Sequence, residues 1–97
     1  MSEPQATLDY HGQGILRKEQ ILSVCEEFIK NAKKNKYSRI LIITGKGLHS
    51  GGDPVIKPLV FEFLQEKFEL EEIEKFVEAR RDRGGSGAFE VWMLKDK

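Results

Sequence analysis

Asp9 and His11 stand two residues apart, and the chain's other histidine, His49, lies in a glycine-rich run from Gly45 to Gly52 that also holds Lys46 and Ser50. A carboxylate beside an imidazole can orient it, raise its basicity or join it on a metal. Asp9 and His11 are therefore a candidate general base with its orienting partner, and equally a candidate pair of ligands for a divalent ion such as magnesium or manganese. His49 can give or take a proton. Lys46 can neutralise a phosphate, the backbone amides of Gly45 and Gly47 can approach an anion closely because no Cβ intervenes, and Thr44 and Ser50 add hydroxyls. The blander readings are concrete too: an Asp-x-His strand end also suits a carboxylate bonded to its own glycine turn, and a glycine-rich run also suits a surface loop.

The elements that must hold these residues can be read from periodicity. Arg39 to Ile43 carries four consecutive apolar residues, three of them β-branched, which predicts a central strand buried on both faces and leading straight into the glycine loop. Ala6 to Tyr10 is a shorter strand that delivers Asp9 and His11, and Met1 to Gln5, polar and with Pro4, reads as a frayed start. Between the strands, Ile21, Val24, Cys25, Phe28, Ile29 and Ala32 recur at helical spacing, predicting a helix from about Ile15 to Asn35 with Cys25 buried and inert on its apolar stripe. Asp53 and Pro54 suit a helix N-cap and first turn, yet Pro58 would clash deeper inside a helix, so a second helix is expected from near Lys57 to about Lys67. Leu70, Ile73, Phe76 and Val77 fit a helical face and a strand alike. A glycine-rich turn at Gly84 to Gly87 ahead of the β-forming run Ala88 to Leu94 favours a hairpin, so a turn or short helix at Glu69 to Glu74 and a strand at Phe76 to Arg81 are expected.

The resulting order, β-α-β-α-β-β, predicts one two-layer α/β sandwich with a mixed sheet over residues 6–97. If the first two strands are parallel neighbours, their carboxyl ends lie side by side and Asp9, His11, Lys46 and His49 line one cleft.

Composition narrows the function classes. Net charge is zero, so no global basic field points to nucleic acid and any such binding rests on a local patch. That patch exists: Lys30, Lys33, Lys34, Lys36, Arg39 and Lys46 fall between Phe28 and Gly52 with no acid among them, whereas seven glutamates face two lysines between Glu62 and Glu78. Lys33 and Lys34, with Arg81 and Arg83 beside the Gly84 turn, are candidate phosphate contacts. The single cysteine excludes an internal disulfide and a cysteine-rich zinc site, and no run is long and apolar enough for a signal sequence or membrane span, so a cytoplasmic protein is expected. The loop lacks the Gly-Lys-Ser/Thr ending of a nucleotide-triphosphate loop and the spacing of a dinucleotide fingerprint.

Taken together, Leu8-Asp9-Tyr10-His11-Gly12, Thr44-Gly45-Lys46-Gly47-Leu48-His49-Ser50 and Gly84-Gly85-Ser86-Gly87-Ala88 resemble, in order and spacing, the motifs of the small MutS-related (Smr) domain family. The resemblance covers nearly the whole chain, with Tyr10 at a position more usually leucine. It implies a fold similar to the C-terminal domain of bacterial translation initiation factor three, DNA or RNA as partner, and an endonuclease that nicks or cleaves RNA. Smr domains are often appended to larger proteins, so the chain is expected to be a stand-alone protein or an excised domain. Two further readings compete: a binding module without catalysis, docking on structured nucleic acid or a larger assembly such as a ribosome, and a binder of small phosphorylated molecules.

Overall fold

A computed structural model describes residues 3–10, 17–45, 56–79 and 87–94. The elements follow the expected order: β1 (Ala6–Asp9), α1 (Lys18–Lys34), β2 (Arg39–Ile43), α2 (Ile56–Glu69), β3 (Ile73–Glu78) and β4 (Ala88–Met93). The strands form one four-stranded mixed sheet in the order β1-β2-β4-β3. β1 runs parallel to β2, with Asp9 opposite Ile43, while β4 is antiparallel to both β2 and β3. Gln5, placed by its sequence in the frayed start, extends this pairing: its N–H donates to the Arg39 carbonyl at 2.9 Å, and its side-chain oxygen accepts from the Ser38 hydroxyl at 2.9 Å.

Both helices pack on one face of the sheet. Ile21, Cys25, Ile29 and Ala32 from α1 and Val60, Phe63 and Leu64 from α2 meet Ile40, Ile42, Ile73, Phe89, Val91 and Met93 in the main core. β2 is covered on its other face as well, where Leu41 joins Ala79 and Ala88 with Ile43 against them, as expected of an inner strand. That second face also carries a buried ion pair across β2 and β4, Arg39 Nη1 lying 3.9 Å from a Glu90 carboxylate oxygen.

The helix boundaries have local causes. α1 starts at Lys18, later than its apolar spacing predicts, with the Gln20 side chain accepting from the Arg17 N–H at 2.8 Å. α2 accommodates Pro58 because Pro58 is its third residue, in the first turn, where a missing N–H has no intrahelical partner to lose. The Asp53–Pro54 helix start lies outside the described residues. Both helices end the same way. The Tyr37 N–H reaches the Ala32 carbonyl at 3.0 Å and the Lys36 N–H the Lys33 carbonyl at 3.1 Å, and Glu72 and Glu71 repeat the pattern onto Lys67 and Phe68 at 2.8 and 3.0 Å. Each is a Schellman closure, and each puts a non-glycine residue, Lys36 or Glu71, at positive φ of 59° or 61°.

β3 begins earlier and ends earlier than expected. An irregularity in its pairing between Ile73 and Lys75 lets Ile73 and Phe76, three apart, both reach the main core. A bulged strand therefore imitates helical spacing, which is why periodicity placed helix or turn over its first residues.

Candidate nucleic-acid interface

The sheet's connectivity builds a site at one end. Because β1 and β2 are parallel, their carboxyl ends finish side by side, and the Tyr10 N–H continues the ladder onto the Ile43 carbonyl at 2.9 Å. β1 alternates along this line. Ala6, Leu8 and Tyr10 turn toward the helices, while Thr7 and the exposed Asp9 turn to the opposite face.

Tyr10 is 3% exposed, and its hydroxyl donates to the Ile21 carbonyl of α1 at 2.7 Å. The side chain therefore points away from Asp9, and its replacement of leucine is accommodated inside the core. Burial, with the Cys25 thiol beside it, holds its phenol above the ordinary range. Burial likewise pushes Cys25 up to about 12, with the Tyr10 contact working against the shift, so this thiol stays protonated and unreactive, as expected.

After Ile43 the chain turns out of the sheet at Gly45, whose φ of 80° is the left-handed region that a Cβ disfavours. The turn is clamped by one atom. The Gly87 carbonyl, immediately before β4, accepts from the Thr44 N–H at 2.7 Å and from the Gly45 N–H at 2.9 Å. The Thr44 hydroxyl lies 3.1 Å from the same oxygen and 2.9 Å from the Gly45 carbonyl, its single proton serving one of them at a time. The strand end carrying Asp9, the Thr44-Gly45 turn and the last glycine of the Gly84 run are thus joined at one end of the sheet.

This arrangement gives two of the expected phosphate contacts a structural role. The expectation that the Gly45 amide would cradle a phosphate meets an N–H already bonded to Gly87, and Thr44 is buried with its polar groups turned to carbonyls. Both set the loop's departure from the sheet. Gly87 plays its part through a backbone carbonyl, which leaves no mark in a sequence beyond the glycine-rich turn itself.

Lys33 and Lys34 are exposed in the last turn of α1. That turn feeds β2 at Arg39, so the two lysines sit toward the sheet end opposite Thr44, with the length of β2, about 13 Å at a strand's rise per residue, in between. His11, Lys46, Gly47, His49, Ser50, Arg81 and Arg83 lie outside the described residues. Among the described residues, no group of three metal-binding side chains gathers, and no helix is long and apolar enough to cross a membrane.

The Smr domain model matches residues 8–94, which takes in all three motifs. The chain belongs to the Smr domain family. An uncharacterized protein of Treponema pallidum is 33% identical over 91 residues, an alignment that covers 94% of this chain but only 41% of that protein's length. Among solved structures, the fold is similar to YdaL, a stand-alone small MutS-related protein from Escherichia coli, with a TM-score of 0.76 and 28% identity over 95% of this chain and 67% of that one. It is also similar to the Smr domain of Thermus thermophilus MutS2, with a TM-score of 0.70 and 19% identity over 92% of this chain and 98% of that one, a likeness of fold.

Proposed function

We propose that this Smr domain binds nucleic acid at the sheet end where Asp9, Thr44 and Gly87 meet, and that it cuts the phosphodiester backbone there as an endonuclease. The observation that supports this reading most is the Gly87 carbonyl, which ties the Thr44-Gly45 turn to the end of β4 beside the Asp9 strand end. Thr44 and Gly45 are thus held at the point from which the sequence continues to Lys46, Gly47 and His49.

Phosphodiester cleavage needs an activated nucleophile, stabilisation of charge on the phosphoryl oxygens and a proton for the leaving oxygen. In this scheme His11, oriented by Asp9, takes the proton of the nucleophile. Lys46 and the Gly47 amide hold the phosphate, and His49 protonates the departing 5′-oxygen. RNA suits this set because its 2′-hydroxyl is a built-in nucleophile: the 2′-oxygen bonds to phosphorus as the bond to the 5′-oxygen breaks, leaving a cyclic phosphate. DNA would require activated water. β1 and β2 bring one carboxylate, Asp9, to this end, a donor set that fits a single hard cation shared with phosphate oxygens better than a two-metal centre. Such an ion would be held by Asp9 and His11 and would draw charge from the phosphoryl oxygens. Lys33 and Lys34 would extend the contact along the backbone without contributing to the chemistry.

Matched ribo- and deoxyribo-oligonucleotides, each offered with and without chelator, test the scheme. Cleavage of the ribo-oligonucleotide alone, unaffected by chelator, is expected. Cleavage of the deoxy strand that chelator abolishes would replace it with metal-activated water, and tight binding without turnover on either strand would reduce the domain to a binding module.

A further inference from the structure

The sheet face turned away from the helices has two ends of different chemistry. Register sets Asp9, Ile43 and Ala88 side by side across one end, and Arg39, Trp92 and Lys75 side by side across the other. Trp92 belongs to this face because its neighbours Val91 and Met93 point into the main core. Four residues along β2 and two strands across separate Asp9 from Trp92, about 16 Å at ordinary strand rise and spacing.

Trp92 is half-buried, and the exposed Lys75 holds its ammonium over the indole, 4.6 Å from the ring centroid. A lysine laid over an indole is by itself an ordinary way to finish an open sheet. Arg39, on the other side of the indole, is less ordinary. Its side chain is 16% exposed and its Nη1 lies 3.9 Å from a Glu90 carboxylate oxygen, beyond hydrogen-bonding distance. Its Nε and Nη2 have no hydrogen-bond partner among the described residues. Donors enclosed without an acceptor are costly, and with no hydrogen bond fastening the guanidinium there, a small swing brings its planar fork to the surface.

An occupant of this row has to meet an indole face, an unfastened fork and an ammonium together. A nucleotide does so in one unit, with a flat π face, phosphate oxygens and acceptors on the base edge. Arg39 and Lys75 flank the indole with no carboxylate between them. Glu90 is in the adjoining row, and Glu74 precedes Lys75 on β3, farther from Asp9. A second copy is a poor occupant, because a twofold contact through this row sets Arg39 and Lys75 against the same two cations. A continuous duplex is poor as well, since its base faces are already stacked on one another.

We propose that an unpaired base of a nucleic-acid strand stacks on Trp92, that Arg39 takes the adjoining phosphate through Nε and Nη2, and that Lys75, displaced from the ring, donates to the outer edge of the base. The inference rests on the reading that nucleic acid occupies the Asp9 end of this face, and it names the substrate class for that site: a single strand or an unpaired stretch. The stacked base lies within about five nucleotides of the phosphate held near Asp9, at the spacing of a stacked strand.

Trp92 is the chain's one tryptophan, so its fluorescence reports the row directly. The probe is a ribo-oligonucleotide of about twelve nucleotides without self-complementarity, 2′-O-methylated so that its 2′-oxygens cannot attack, and titrated into the whole chain. Saturable quenching of the indole is expected, with the same dissociation constant as fluorescence polarisation of the labelled strand. The same strand paired to its complement should bind at least about tenfold more weakly. By polarisation, Trp92→Leu should weaken binding of the single strand about ten- to a hundredfold and erase the preference over duplex, while Trp92→Phe keeps most of both. Arg39→Lys, which retains a charge beside Glu90, should weaken binding about five- to tenfold with the salt slope unchanged. Binding that leaves the emission unaltered, full affinity in Trp92→Leu, or equal affinity for duplex would overturn the proposal and leave binding at the Asp9 end standing. Quenching by hexaglutamate at the same concentration would overturn it in favour of a general anion site. Quenching by the strand without cleavage of its unmethylated form would uphold the stacking and remove the endonuclease instead, and failure of every strand to bind would remove both.

Discussion

The stretch from Phe28 to Lys46 and the stretch from Glu62 to Glu78 are both built as a helix end running into a strand of the same sheet, yet they carry opposite charge and end differently. The first ends β2 at a glycine whose amide is bonded to Gly87, with lysines at the strand's other end. The second carries seven glutamates against two lysines and ends in β3, which has one neighbour among the described residues, β4. A net charge of zero therefore conceals two stretches of opposite charge, of which the basic one is the side proposed to meet phosphate. What separates them is the sheet order, which puts β1 and β2 at one side and β3 at the other.

Charge reversal is the strongest way to break this comparison. Lys33→Glu with Lys34→Glu should weaken nucleic-acid binding about ten- to a hundredfold near 0.1 M salt and lower the salt slope by about two, as expected for two lost phosphate contacts. Glu69→Lys with Glu74→Lys should leave that affinity within about threefold, because those glutamates stand off the phosphate path. Filter binding across a salt series reads both, and equal effects from the two pairs would erase the distinction.

A backbone change at the joint comes next. Gly45→Ala forces a Cβ into a φ of 80°, at a cost of about 1–3 kcal/mol in chemical denaturation, and should impair nucleic-acid binding along with stability. Phe68→Ser in the other half should do neither.

Alkali probes the core beneath the site. Tyr10 and Cys25 both hold their protons more tightly folded than unfolded, so the stability this contributes is complete below about pH 9 and is lost as pH rises toward and past 12. The unfolding free energy should fall by about 1.4 kcal/mol per pH unit for each group in its window. Tyr10→Phe should flatten the slope above pH 10 and cost about 1 kcal/mol at neutral pH for the lost hydrogen bond to Ile21.

The smallest effect is one in which the halves should agree. Lys36→Gly and Glu71→Gly each relieve a left-handed non-glycine residue at a helix end and should each stabilise the domain by about 0.5–1 kcal/mol in chemical denaturation, the first while removing one charge of the basic patch.

Much of this was legible in the residues. The apolar run Arg39 to Ile43 gave an inner strand with its bounds, and the parallel pairing with Ala6–Asp9 followed the two-strands-through-a-helix order. The start of β3 was not legible, since an irregular strand puts Ile73 and Phe76 on one face at helical spacing. Nor were the hydrogen bonds of Thr44 and Gly45 to a carbonyl forty-odd residues away, because residue type carries no sign of a backbone partner so distant in the chain. Asp9 facing away from Tyr10 was foreseeable from strand alternation. The place of β3 at the sheet's edge among the described residues was not legible either, since only the sheet order shows it.

The most direct test concerns the histidines that the joined strand ends would deliver. Turnover and affinity should be measured on one ribo-oligonucleotide for the unaltered chain, His11→Ala and His49→Ala. If this sheet end cuts RNA, each variant loses about a hundredfold or more in turnover while its dissociation constant stays within about threefold. Unchanged turnover in both variants would contradict it.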